Sequence, residues 1–148
     1  MSIHSDIQTA LGIARPCDPL SLPALTLAYI GDTIYDLYVR TLLAETVQAH
    51  VHDLHLSAAK HVCAAGQAAA YRRIEPLLTE REQAAFRRGR NAHSGTVPKN
   101  ARVRDYRVAT GLEALLGFLY LTGEDARIGE LMRAALEQLE DSGKEIER

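Results

Sequence analysis

Residues 25–43 read LTLAYIGDTIYDLYVRTLL, and this stretch decides the fold of the 148-residue chain. Apolar side chains occupy nearly every side of a helix drawn through it, so it predicts a helix that is buried over most of its surface. Ser21 is the candidate N-cap, Pro23 lies in the first turn, and we expect this helix to reach about residue 44. Because Ala, Leu, Arg, Glu and Gln also dominate the other segments, the sequence predicts an all-α fold.

Four more helices are expected after the first. Asp53 is a good N-cap for the second, which runs through a stretch rich in small residues to about residue 73. Thr79 and Glu82 match a capping box at the start of a third, basic helix. A loop rich in Asn, Ser, Gly and Pro follows at residues 90–101. A fourth helix is expected over residues 104–123, where it stops at a glycine, and a last amphipathic helix starts at residue 124 or 125.

The length of the chain favours a single domain, residues 1–148, with a folded core at about residues 19–139 and a charged tail at residues 140–148. Every long apolar stretch meets a charge before the ~20 residues that a membrane span needs, so we expect a cytoplasmic protein without a membrane partner. The two cysteines, Cys17 and Cys63, form no C-x-x-C pair and are expected to be reduced.

Charge is unevenly distributed along the chain, although its formal total is only -2. Residues 72–107 hold ten basic and four acidic side chains, whereas residues 124–148 hold an excess of acids. A concentrated positive segment attracts phosphate backbones, because each neutralised phosphate releases condensed counterions. The alternative interpretation is a basic helix face exposed to solvent, and charge alone does not decide between the two.

Two carboxylates lie within predicted helices that are otherwise apolar. Asp32 lies inside the first helix, and Glu113 lies inside VATGLEALLGFLYL with no cation within a helical turn on its own face. An unpaired buried carboxylate costs several kcal/mol, so each acid must be neutralised, paired with a distant cation or bound to a metal ion. Gly31 beside Asp32, and Gly111 and Gly117 around Glu113, would let two helix backbones approach closely and bring the acids together.

Oxygen ligands with no cysteine nearby suit Mg²⁺, and Mn²⁺ as its substitute. Asp36, one turn after Asp32, could extend the acidic face. Such an ion beside a basic segment indicates metal-assisted hydrolysis of a phosphodiester. A structural ion pair at either acid is the alternative that the sequence leaves open.

Three segments resemble the ribonuclease III family. LAYIGDTIYDL (residues 27–37) is similar to the signature helix of its nuclease domains, and TGLEALLG (residues 110–117) to their second metal-binding helix. RRGRNAHSGTVPKN (residues 87–100) resembles the basic loop of the short Mini-ribonuclease III branch, which lacks a double-stranded-RNA-binding domain. The resemblance spans roughly residues 19–139, and only the short charged tail follows, so no separate RNA-binding domain is expected.

The resemblance implies that Asp32 and Glu113 are the catalytic, metal-binding acids of an endoribonuclease. It further implies a homodimer with two sites, each cutting one strand of duplex RNA and leaving 5′-phosphate and 3′-hydroxyl ends, with ribosomal RNA maturation as the role. No DNA substrate is expected. The full-length enzymes carry further acids one turn before each of these, and the matching positions here are Ala28 and Thr110.

Duplex RNA is recognised mainly by shape, through phosphates and 2′-hydroxyls, so basic side chains should make most contacts. The candidate RNA-binding residues are Arg87, Arg88, Arg90, Lys99 and Arg102. The missing acids leave a second hypothesis open, a non-catalytic RNA-binding or ribosome-assembly module. A third is an HD-type phosphohydrolase, based on the dipeptide His52-Asp53, although no suitably placed downstream Asp completes that pattern.

Overall fold

The structure is a computed structural model that describes residues 1–15, 17–92 and 102–137. These residues form α-helices with two short 3₁₀ turns and no strand, so the all-α prediction is confirmed. The predicted tail, residues 140–148, lies outside the described residues. The helices are α1 (Ile3–Leu11), α2 (Ala24–Thr46), α3 (Val51–Val62), α4 (Ala64–Ile74), α5 (Glu80–Arg90), α6 (Val103–Leu121) and α7 (Asp125–Ala135).

Helix α6 forms the centre of the domain. It is apolar on nearly all sides, and α1, α2, α4, α5 and α7 all pack against it. Its buried side chains include Leu112, Leu115 and Leu119, each with no exposed surface. Helix α2 contributes Leu27, Tyr35 and Val39 to the same core. A polar residue carried on α6 is therefore held by neighbours on several sides.

The capping box predicted for α5 is present. The Thr79 hydroxyl accepts a hydrogen bond from the Glu82 N–H at 3.2 Å, and Glu82 Oε1 accepts one from the Thr79 N–H at 2.9 Å. Glu82 is also buried and receives two hydrogen bonds from the Arg127 guanidinium on α7, at 2.8 and 2.9 Å. The hydrogen bond to Arg127 is the main reason that the pKa of Glu82 lies below its usual value. The predicted end of α6 is also correct, since Gly123 has φ 74°.

Three sequence-based expectations about helix ends were wrong. Ser21 does not cap α2, because it ends a 3₁₀ turn that starts after Asp18, and Pro23 occupies the N-cap of α2. Asp53 lies in the first turn of α3, whose N-cap is His50. The second predicted helix is really two, α3 and α4, because Cys63 is extended (φ -68°, ψ 163°) and breaks the helical path.

The N-terminal helix α1 was not predicted. Ser2 caps it, and the N–H of Ile3 donates to Asp125 Oδ2 at 2.8 Å, which fixes the helix to the start of α7. His4 packs against Tyr120 with ring centroids 5.1 Å apart. No residue of α1 is buried, so it adds to the outside of the core without enlarging it.

Candidate active site

Helices α2 and α6 cross in contact at glycines. A Cβ placed on Gly31 would overlap the backbone carbonyl of Glu113, and one placed on Gly117 would overlap the carbonyl of Leu27. The expected close approach of two helix backbones is therefore present, and it brings Asp32, the residue after Gly31, beside Glu113. Gly111 differs from the expectation, since it faces Phe86 on α5.

The two acids are in different environments within the same site. Asp32 is an exposed residue of α2, but its carboxyl group is partly buried. This partial burial is the main cause that raises the pKa of Asp32, and repulsion from Asp36 is the second. Glu113 is more deeply buried, and its pKa rises to about 8. Burial is the largest cause, repulsion from Asp32 adds to it, and a side-chain hydrogen bond with Gln67 opposes it. The geometry therefore brings two acidic groups together between α2 and α6, and ionisation of Glu113 is unfavourable there without a cation.

Neither Asp32 nor Glu113 forms a salt bridge within the part of the chain that the structure describes. Other acids there are paired, such as Asp36 with Arg40 at 2.9 Å and Glu82 with Arg127 at 2.8 Å. Two neighbouring carboxylates with no cationic partner repel each other, and a bound divalent cation would remove that repulsion. Their oxygen atoms are the ligands that Mg²⁺ prefers, so the residues fit the ion.

The ligand set is small. In residues 1–15, 17–92 and 102–137, no group of three or more His, Cys, Asp or Glu side chains could hold a metal ion. Asp36 is held by Arg40, and the Thr110 hydroxyl donates to the Tyr106 carbonyl at 3.0 Å. Ala28 is buried and has no ligand atom. Two carboxylates leave most coordination positions of such an ion to water or to substrate oxygens.

Most of the predicted RNA-binding residues lie where α5 ends and α6 begins. Arg87 and Arg88 are exposed in the last turn of α5, and the Arg88 guanidinium also donates to the Leu22 carbonyl at 2.9 Å. Arg90 lies over the Phe86 ring at 5.8 Å, and Arg102 is exposed at the N-cap of α6. Lys99 and most of the predicted basic loop lie outside the described residues.

A cleft of about 610 Å³ opens between α4, α5 and the start of α6. Four arginines line it together with two acids, Glu75 and Asp105, and with the stacked pair Tyr71 and Phe86. Asp105 lies 3.8 Å from one of the arginines. This basic surface is therefore continuous across three helices and does not depend on a single charged helix face. The four arginines are Arg72, Arg90, Arg104 and Arg107.

Gln67 on α4 was not predicted from the sequence; it is 2% exposed, and its amide lowers the pKa of the Glu113 carboxyl group. The stretch AAGQAAAYRR carries no signal that marks Gln67, because a glutamine among small residues is equally compatible with an exposed helix face. His52 and Asp53 lie in the first turn of α3, away from the contact between α2 and α6.

Comparison with known proteins agrees with this geometry. Residues 25–124 match the Ribonuclease III domain family. The chain is 46% identical to the Mini-ribonuclease 3 of Symbiobacterium thermophilum over 85% of its own length and 97% of that protein. It is 40% identical to the Mini-ribonuclease 3 of Enterococcus faecalis over 86% and 98% of the two lengths.

A crystal structure of a Fusobacterium nucleatum protein superposes with a TM-score of 0.72, at 26% identity, over 80% of this chain and 94% of that one. No described helix is both long enough and apolar enough to cross a membrane. The family match includes His52 and Asp53, so it contradicts the HD-type phosphohydrolase alternative that was based on this dipeptide. The chain belongs to the ribonuclease III family of endoribonucleases, and its relatives are the Mini-ribonuclease 3 proteins.

Proposed function

We propose that this protein is a Mg²⁺-dependent endoribonuclease that cuts double-stranded RNA, with Asp32 and Glu113 as its catalytic and metal-binding acids. The observation that carries the proposal is the contact between α2 and α6, where Gly31 touches the backbone of Glu113 and two unpaired carboxylates meet. Family membership supports the reaction class, and the contact between α2 and α6 supports the assignment of the two acids.

Asp32 and Glu113 would hold the ion, with Mn²⁺ able to replace Mg²⁺. When bound, the ion stabilises charge on the phosphate oxygens and lowers the pKa of a water molecule. The close contact of α2 and α6 at Gly31 and Gly117 would hold the two carboxylates near each other. Burial of Glu113 keeps its carboxyl group protonated near neutral pH until a cation displaces the proton, so metal binding should tighten as pH rises.

Duplex RNA is the substrate that the basic surface fits best. A-form RNA offers its phosphates and 2′-hydroxyls over a wide, shallow minor groove, and arginine forks suit such contacts. Arg87 and Arg102 extend into solvent on either side of the α5–α6 connection, next to the arginine-lined cleft. Arg88, Arg90 and Lys99 complete the proposed set of RNA contacts.

We further infer a homodimer, with the outer face of α2 as part of its interface. Leu25, Tyr29 and Leu37 repeat at helical spacing on that face, and they are 39%, 79% and 61% exposed. A two-fold axis would pair two sites, one for each RNA strand, and hydrolysis would leave 5′-phosphate and 3′-hydroxyl ends. Precursor ribosomal RNA in the cytoplasm is the proposed substrate.

The alternative of a non-catalytic RNA-binding module has its own supporting observation, which is the absence of acids at Ala28 and Thr110. A cleavage assay separates the two. The protein is incubated at low salt with Mg²⁺ and a perfect RNA duplex, and with a DNA duplex of the same sequence as control. We expect cleavage of the RNA duplex only, and a loss of at least about 100-fold in Asp32→Asn and Glu113→Gln. Binding of RNA without cleavage by the parent protein would favour the alternative.

A further inference from the structure

Gln67 is an unusual residue for the place it occupies. It lies on α4, is 2% exposed, and is one of two polar or charged residues that are buried in the described chain; the other, Glu82, has a complete set of partners. Its neighbours in sequence are a glycine and several alanines, and α4 packs on α6. An apolar side chain would therefore fill this position without burying a polar group.

The amide of Gln67 is fixed at one end. Its Nε2 donates to the backbone carbonyl of Val62 at 3.0 Å, at the junction where Cys63 separates α3 from α4. Its Oε1 is buried and has no hydrogen-bond partner among the described residues. A buried amide oxygen without a partner is unfavourable for folding, so packing and stability alone do not explain a glutamine here.

The same side chain lies close enough to the Glu113 carboxyl group to lower the pKa of that group. A primary amide nitrogen has two hydrogens, and Nε2 donates one of them to Val62, so the second hydrogen is available to Glu113. This places one rigid donor between the α3–α4 junction and the acid on α6. The amide carries no charge, so it orients the carboxylate without neutralising it, whereas an arginine at this position would compete with a cation for the same oxygens.

We propose that Gln67 is a positioning residue for Glu113: anchored on the Val62 carbonyl, it holds the Glu113 carboxylate turned toward Asp32, in the orientation needed to bind a divalent cation. This inference rests on the proposed function, because it assumes that Glu113 is a metal ligand. Partners that orient a ligand in this way usually change metal affinity or activity by 10- to 100-fold when removed.

The test uses Gln67→Leu and Gln67→Met, which keep the volume and remove the amide, with Gln83→Leu on α5 as the control. Mn²⁺ binding to the RNA-free protein is followed by electron paramagnetic resonance, and cleavage of an RNA duplex by steady-state kinetics. We expect both Gln67 variants to bind Mn²⁺ about tenfold more weakly and to lose about tenfold in kcat, with KM for RNA unchanged. The control should match the parent.

Parental Mn²⁺ affinity and kcat in a folded Gln67→Leu or Gln67→Met protein would overturn the proposal. Loss of the helical circular-dichroism signal in both variants would also overturn it, because Gln67 would then serve the fold. The Glu113→Gln variant distinguishes failure of the positioning role from failure of the proposed function on which it rests. If Glu113→Gln binds Mn²⁺ and cleaves RNA normally, the proposed function fails; if only the Gln67 variants behave normally, the positioning role fails.

Discussion

Glu113 shows how one residue can weaken the fold while serving the site. The ordinary pKa of a glutamate is 4.5, but burial is the main cause that raises the pKa of Glu113 to about 8. Ionising it in the folded protein requires either a counter-charge or a loss of stability. A core leucine at the same position would avoid that cost, so the acid is best explained by its chemistry.

This balance predicts a pH dependence. Between about pH 4.5 and pH 8 the folded chain holds a proton on Glu113 that the unfolded chain has lost, so the free energy of unfolding falls as pH rises through that window. We expect the metal-free parent to lose thermal stability from pH 5 to pH 8 relative to Glu113→Gln, whose amide does not titrate. Thermal denaturation of both proteins at constant ionic strength measures the difference. Parallel stability curves for the two proteins would contradict the assignment.

Sequence alone identified Asp32 and Glu113 as anomalous, because each interrupts an apolar helix. It did not identify Gln67, since a glutamine among alanines is compatible with an exposed face, and the burial of Gln67 depends on how α4 lies on α6. The hydrogen bond from Arg88 to the Leu22 carbonyl could not be predicted either, because 66 residues separate the two along the chain.

At the scale of elements, the contact between α2 and α6 depends on the absence of a side chain. Gly31→Ala places a methyl group on the backbone of Glu113, and a backbone carbonyl cannot move aside as the end of a flexible side chain can. We expect a loss of about 3 kcal/mol or more in the free energy of unfolding, at the upper end of overpacking effects, together with loss of cleavage. Urea denaturation gives the first quantity.

Gly129 on α7 provides the matched control for Gly31→Ala. A Cβ there would meet only the Tyr38 hydroxyl, at 3.9 Å. Gly129→Ala should therefore leave stability unchanged or raise it by about 1 kcal/mol, because alanine is the better helix former. Equal effects of the two substitutions would show that the close approach of α2 and α6 is not what Gly31 provides.

The elements themselves were partly predictable. The capping box of α5 and the glycine that ends α6 are local signals, and both are present as expected. The break at Cys63 was not predicted, because no proline marks it; Gly66, in the first turn of α4, lies against the backbone of Lys60 and His61 at the end of α3. Helix α1 has no buried face, so its pattern predicted nothing about the core.

At the scale of the whole molecule, a near-neutral net charge conceals a basic surface formed by α4, α5 and the start of α6. Binding of RNA to such a surface should weaken steeply with salt, because each phosphate contact releases counterions. The sequence predicted the charge excess from composition. It did not predict that Arg72, Arg90, Arg104 and Arg107 line a single cleft, because that depends on how the helices are arranged.

Arg87 offers the simplest test of that surface, because its side chain is exposed in the last turn of α5. We expect Arg87→Ala to weaken binding to duplex RNA and to reduce the slope of log K against log salt concentration by about one, with Mn²⁺ affinity unchanged. Arg133→Ala on α7 is the control and should keep the parental slope. Fluorescence anisotropy across a salt series, in Ca²⁺ to prevent cleavage, gives both slopes. An unchanged slope for Arg87→Ala would remove that residue from the interface.

The central claim is that the Asp32 and Glu113 carboxylates share one divalent cation. A crystal of the protein soaked in Mn²⁺ and measured at the manganese absorption edge tests it directly. The account predicts an anomalous-difference peak about 2.0–2.2 Å from an oxygen of each side chain, which is absent in Glu113→Gln. A peak bound to only one of these acids, or no peak between α2 and α6 at saturating Mn²⁺, would contradict it.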